Sequence, residues 1–113
     1  MIEAGLVASC AMIDFELLWS TRNVADFDEL SKDRRLGYEY LPIEDAQWHR
    51  AIEVQRELWA NGLVRAVPLP DLLIAAVAER HGVTVLHYDA DYDRIAAVTG
   101  QVVQWIVEPG SVA

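Results

Sequence analysis

The chain has 113 residues, of which 53% are hydrophobic and 24% charged, and it carries a formal net charge of −9 at pH 7. This length predicts one domain, and this composition excludes a disordered or fibrous chain. The acidic balance excludes a protein that binds nucleic acid through a broad basic surface. A protein of this charge that handled a phosphate backbone would need a local device such as a metal ion.

The cellular setting is predicted from three sequence features. The single cysteine, Cys10, excludes a disulfide framework within the chain and a multi-cysteine zinc site. No apolar run is long enough to span a membrane. The first residues lack the basic and then apolar layout of a signal peptide. Together these features predict a protein of the reducing cytoplasm.

The first part of the chain predicts a short strand and two helices. The strand ends at Leu6–Ala8. The first helix runs from about Cys10 to Ser20 with Ser9 as its N-cap, and the second runs from about Val24 to Leu36 with Asn23 as its N-cap. Near the end of the second helix lies the densest basic patch of the sequence, which predicts a solvated helix end. The residues of this patch are Lys32, Arg34 and Arg35.

The rest of the chain alternates helices with short apolar strands. The predicted elements are, in chain order, a strand at Tyr38–Leu41, helices at Glu44–Asn61 and Asp71–His81, a strand at Val83–Tyr88, an acidic turn at Asp89–Asp93, a short helix ending at Thr99 and a strand at Val102–Val107. This alternation predicts an α/β domain with a mainly parallel sheet flanked by helices. Such sheets place their sites beyond the carboxyl ends of the strands, where the acidic turn lies.

Three aspartates follow the predicted strand Val83–Tyr88 at alternate positions: Asp89, Asp91 and Asp93. Carboxylates this close repel one another by roughly 1 kcal/mol per pair even in water. A divalent cation such as Mg²⁺, which prefers carboxylate oxygens, would offset that repulsion. The alternative is a solvated acidic turn in which Asp89 caps the following helix.

Further candidate acids lie on two of the predicted helices. Asp71 begins an apolar helix, where it is either a first-turn acid stabilised by the helix dipole or an ionised carboxylate available to a metal. Asp14 and Glu16 share a helix that is apolar nearly all round, so we expect at least one of them to be substantially buried. A buried carboxylate needs a metal or an arginine partner. Periodicity does not choose between Asp14 and Glu16.

Several segments together resemble a known family. Leu69–Ala76 and Val85–Ala96 resemble the second half of a PIN-domain ribonuclease, in particular the VapC toxins of bacterial toxin–antitoxin pairs. Met12–Leu18 is similar to the helix that carries the family's conserved glutamate. Trp105–Ser111 is similar to the C-terminal end of the family's sequences. The resemblance implies a three-layer, PIN-like α/β domain over residues 1–113.

The resemblance also implies an activity and a set of site residues. It implies a metal-dependent endoribonuclease, the toxin of a type II toxin–antitoxin system, that hydrolyses RNA phosphodiester bonds with Mg²⁺ or Mn²⁺. Glu16, Asp71 and Asp89 fall on the family's catalytic and metal-binding acidic positions, and Asp91 falls on an accessory metal-binding acid. The implied partners are a cognate antitoxin, an RNA substrate and a second copy of the chain.

The chain departs from the family pattern at its N-terminus. The family begins with a strand that carries its first conserved aspartate and is followed by a helix, whereas Met1–Gly5 matches the end of a later helix. We therefore expect the PIN-like domain of this chain to be N-terminally incomplete, without the first strand, and a chain without that aspartate to cleave RNA weakly. The alternative function is a catalytically inactive or truncated module that binds only the antitoxin and itself.

Overall fold

A computed structural model describes residues 8–87 and 90–105. Within these ranges, only the backbone is described for Leu86, His87 and Trp105. The chain divides into two compact units, residues 1–43 and 44–113. That residues 1–113 form one PIN-like domain stays a prediction. No helix within the described residues is both long and apolar enough to cross a membrane.

The first unit contains a pair of parallel strands and two helices. Their order is β1 (Ala8–Ser9), α1 (Ala11–Trp19), α2 (Val24–Gly37) and β2 (Glu39–Tyr40). Strands β1 and β2 pair in parallel, with Ala8 opposite Glu39 and Ser9 opposite Tyr40. The two helices connect these strands, which is the crossover that parallel pairing requires.

The sequence predicts Ser9 and Asn23 as the N-caps of α1 and α2. Asn23 caps α2 as predicted, because its side chain accepts a hydrogen bond of 2.9 Å from the backbone N–H of Asp26. The prediction that Ser9 caps α1 is wrong. The N-cap is Cys10, whose backbone is extended, while Ser9 belongs to β1 and its hydroxyl accepts a hydrogen bond from Arg34. The tertiary partner of this serine outweighs its local capping preference.

The second unit contains a second parallel pair and three helices. Their order is α3 (Asp45–Ala60), α4 (Leu69–His81), β3 (Val85–His87), α5 (Ala90–Thr99) and β4 (Val103–Trp105). Strands β3 and β4 are parallel, with Val85 opposite Val103. Parallel pairs and helices in both units confirm the predicted α/β class.

Two predicted boundaries in the second unit are wrong. Helix α4 begins at Leu69 rather than Asp71, because Pro70 fits the first turn of a helix, where its missing N–H costs nothing. The predicted acidic turn is helical from residue 90 onward, so Asp91 and Asp93 lie in the first turn of α5. Asp89 lies outside the described residues.

The core of the second unit lies between α3, α4, α5 and β3. One face of α3 buries four residues spaced four, three and four apart, the repeat that keeps side chains on one side of a helix: Gln47, Ala51, Val54 and Leu58. Small residues of α4, including Ala75 and Ala76, are buried in the same core. Ile95 of α5 is 0% exposed.

An ion pair between α3 and α4 lies at the edge of this core. Arg50 donates from Nε to Glu79 Oε1 at 2.7 Å and from Nη2 to Oε2 at 3.1 Å, which is a bidentate arrangement. These hydrogen bonds raise the pKa of Arg50, and partial burial acts in the opposite direction. The pair therefore fixes α3 against α4 at a site that water still reaches.

We expect Arg50→Met to lower the free energy of unfolding by about 1 kcal/mol, because partly exposed ion pairs contribute little beyond this. Urea denaturation monitored by circular dichroism measures the change. The matched control is Arg56→Met on the same helix, since Arg56 is exposed and its nearest carboxylate, Glu57, lies 4.0 Å away. A loss that is equal in the two variants would contradict a specific role for the bidentate pair.

Candidate acidic site

Asp71 is held in the first turn of α4 and is half-buried. The positive end of the helix dipole favours a carboxylate at this position. Tyr92 of α5 donates a hydrogen bond from its phenolic oxygen to Asp71 Oδ1, with 3.3 Å between the two oxygens. Because Tyr92 is itself buried, this contact fixes the start of α4 against the first turn of α5.

The first turn of α5 carries two of the predicted acids. Asp91 is 14% exposed, and Arg94 donates from Nη1 to Asp91 Oδ1 at 2.6 Å. Asp93 lies on the same turn and is exposed. The charge of Asp91 is thus compensated from within its own helix.

Within the second unit, the structure therefore brings Asp71 to the turn that carries Asp91. Asp89, the remaining predicted acid of this region, lies outside the described residues, so its convergence with Asp71 stays a prediction. Tyr92 is a residue of this region that the sequence motifs did not indicate. The available signal was the spacing of Tyr92 and Ile95, which are one helical turn apart and both buried.

The first unit separates the two acids of α1. Asp14 forms an ion pair with Arg34, with 2.8 Å between Oδ1 and Nε, and its side chain remains about one-third exposed. Glu16 is exposed. The prediction that at least one of them is substantially buried is wrong, because α1 has no buried residue. The alternative of an arginine partner is confirmed for Asp14.

The same contacts correct the prediction for the basic patch on α2. Arg35 and Lys32 are exposed, as expected of a solvated helix end. The side chain of Arg34 is only 10% exposed and pairs with Asp14, so Arg34 is not part of a solvated helix end. Its partners Asp14 and Ser9 are 20 and 25 residues away in sequence, beyond the reach of local patterns.

No metal cluster is formed by the described residues alone: in residues 8–87 and 90–105, no three histidine, cysteine, aspartate or glutamate side chains are grouped so as to hold an ion. Of the four predicted ligands, Glu16 lies in the first unit, Asp71 and Asp91 lie in the second, and Asp89 is outside the described residues. The metal site stays a prediction.

Comparison with known proteins decides the family. The sequence model of the PIN domain family matches residues 1–98 of this chain. The chain belongs to the PIN domain family. Ribonuclease VapC21 of Mycobacterium tuberculosis is 47% identical over 111 residues, which cover 98% of this chain and 80% of the relative. Ribonuclease VapC51 of the same species is 43% identical over 112 residues, covering 99% of this chain and 80% of the relative. Within the PIN domain family, the chain belongs with the VapC proteins.

Solved structures confirm the PIN-like fold. A chain of VapBC2 from Rickettsia felis, bound to a DNA fragment from the VapBC2 promoter, superposes with a TM-score of 0.73 over 90% of this chain and 76% of that chain, at 17% identity. A chain of VapBC-5, a toxin–antitoxin system of Mycobacterium tuberculosis, superposes with a TM-score of 0.61 at 25% identity, covering 88% and 80%.

Proposed function

We propose that this PIN-domain protein is a metal-dependent endoribonuclease, the toxin of a type II toxin–antitoxin pair, and that it acts in the cytoplasm. One observation carries the proposal: a chain 47% identical to ribonuclease VapC21 holds Asp71 at a helix start, against the acidic first turn of a second helix. Glu16, Asp71 and Asp89 are the proposed catalytic acids, with Asp91 as an accessory ligand.

The described donors fit a hard divalent cation in their chemistry. Asp71 and Asp91 offer carboxylate oxygens, which Mg²⁺ and Mn²⁺ prefer, and each lies in the first turn of a helix, where the dipole favours the ionised form. When bound, such an ion supplies positive charge beside the scissile phosphate of RNA. The role of the chain is to keep Asp71 ionised and oriented, which its position on α4 and the phenol of Tyr92 both support.

The antitoxin is the proposed regulator of this site. The structural neighbours named above come from VapBC proteins, one of them described as a toxin–antitoxin system. A cluster of carboxylates without a metal attracts the planar guanidinium of an arginine, which pairs with carboxylates in a bidentate manner. An antitoxin arginine in this position would replace the charge of the ion and so inhibit cleavage.

Incubation of protein produced from the whole coding sequence with end-labelled RNA and Mg²⁺ tests the proposed activity. We expect discrete cleavage products, which disappear when the cognate antitoxin is added first. Replacing both Asp71 and Asp89 by Asn is expected to weaken antitoxin binding, which calorimetry measures. Antitoxin binding without any cleavage would instead support the alternative, a module that only binds its partners.

Self-association is the remaining part of the proposal, and α3 supports it. This helix carries a second stripe beside its buried one, at the same spacing of four, three and four residues: Trp48, Ile52, Gln55 and Trp59. Trp48 and Trp59 are 54% and 47% exposed. The two tryptophans lie about 16 Å apart along the helix axis, with Ile52 and Gln55 between them. An antiparallel pairing of two copies would set each Trp48 against the partner's Trp59, which is the self-complementarity of a two-fold interface.

We expect Trp48→Ser to convert the dimer to a monomer at micromolar concentration, because a tryptophan buried against a partner contributes a large share of the free energy of an interface, and Trp48 would be lost from both ends of this one. Light scattering coupled to size exclusion measures the mass. Trp19→Ser is the control, since Trp19 is 90% exposed but belongs to the first unit. A mass that is unchanged by Trp48→Ser would contradict this interface.

A further inference from the structure

We infer that Arg34 is a positioning residue that fixes α1 and thereby orients Glu16; this inference rests on the proposed function. Arg34 is not one of the acids that the proposed chemistry uses. It is nevertheless the cation of α2 with the lowest exposure, and it contacts two other elements of the first unit.

Apolar packing does little to hold α1 and α2 together. Neither helix has a buried residue, and the apolar side chains Phe15 and Trp19 of α1 are largely exposed. The buried residues described in the first unit are Ser9 and Cys10, at the junction of β1 and α1. The orientation of α1 must therefore depend on polar contacts more than is usual for a helix.

Arg34 makes those contacts. Its Nε donates to Asp14 of α1 at 2.8 Å, and its Nη2 donates to the hydroxyl of Ser9 in β1. Its guanidinium carbon lies 4.0 Å from the ring centroid of Tyr38, next to β2. One planar side chain thus ties α2 to α1 and β1 and stacks on the residue that caps the end of α2, which a lysine cannot reproduce because its ammonium is a compact point charge.

The pairing of Asp14 determines where Glu16 points. Two residues apart on a helix, these side chains project about 200° apart around the axis. When Arg34 draws Asp14 to the side that faces α2, Glu16 is turned to the opposite side of α1, where the structure finds it exposed. The Arg34–Asp14 pair therefore sets the rotation of α1 on which the placement of Glu16 depends.

Hydrogen exchange measures whether Arg34 anchors α1. We expect Arg34→Lys to speed amide exchange in residues 11–19 roughly tenfold, because a charged hydrogen bond is lost, while exchange in α3, α4 and α5 stays unchanged. Asp14→Asn should act in the same direction, since it weakens the same pair. Arg35→Lys is the control, because Arg35 is exposed on the same helix. If Arg34→Lys leaves amide exchange in α1 unchanged, the inference that Arg34 fixes α1 is wrong.

Titration with Mn²⁺ measures whether the anchor acts through Glu16. We expect Arg34→Lys to weaken Mn²⁺ binding about tenfold, the usual effect of removing a residue that orients a ligand. In a Glu16→Gln background, Arg34→Lys should weaken Mn²⁺ binding no further, although the amides of α1 should still exchange faster. An equal weakening in both backgrounds would overturn the positioning role. A wild-type protein that binds no Mn²⁺ would overturn the proposed function, and the exchange data would then still decide whether Arg34 anchors α1.

Discussion

We expect Asp71→Asn to reduce RNA cleavage at least about 100-fold, because loss of an outer-shell partner of a metal already costs 10- to 100-fold and a direct ligand contributes more. The substitution removes one negative charge and preserves the shape of the side chain. The amide oxygen can still accept the hydrogen bond from Tyr92, so the contact between α4 and α5 is retained. Initial rates of cleavage, measured beside thermal unfolding, separate loss of activity from loss of structure.

The matched control for this variant is Asp45→Asn. Asp45 also lies in the first turn of a helix, α3, but is 89% exposed and pairs with His49. The substitution Asp45→Asn should therefore leave RNA cleavage unchanged. Cleavage by Asp71→Asn at the wild-type rate would remove Asp71 from the proposed site and leave Asp89 and Asp91 as the acids to replace next.

We expect Ile95→Ala to lower the free energy of unfolding by about 3 kcal/mol, as is typical when a buried isoleucine is truncated. Ile95 is 0% exposed and belongs to the core that α3, α4 and α5 share. It lies one turn from Tyr92, so its loss should also loosen the first turn of α5. Urea denaturation measures the change in stability.

Leu69→Ala is the control for the core substitution, because Leu69 is 68% exposed at the start of α4. We expect its effect on stability to remain within about 0.5 kcal/mol. Equal losses from the two substitutions would show that Ile95 is not part of a close-packed core.

The pattern of local sequence signals predicts much of the second unit. The period of apolar residues places α3 within one residue of its observed start and end. The helix predicted to end at His81 does end there, and the next residue, Gly82, has a left-handed backbone with φ of 65°, which glycine adopts without steric cost. The start of α4 lies two residues before the predicted Asp71, because Pro70, which would end a helix from within, is well suited to the first turn of one.

The contacts that position the acids were not predictable from local patterns. Tyr92 reaches Asp71 across 21 residues, and Arg34 reaches Asp14 across 20 residues. Both contacts depend on how helices pack, which hydrophobic periodicity alone does not specify. The sequence predicted an arginine or a metal as the partner of a carboxylate on α1, and only the fold shows that Arg34 is the partner of Asp14.

Dependence of cleavage on a metal ion tests the proposed chemistry most directly. Protein produced from the whole coding sequence should be freed of divalent ions with a chelator and assayed on labelled RNA before and after ions are returned. We expect no cleavage in the chelator, full recovery with Mg²⁺ or Mn²⁺, and no recovery for Asp71→Asn. Cleavage that continues undiminished in excess chelator would contradict metal-dependent hydrolysis at these acids.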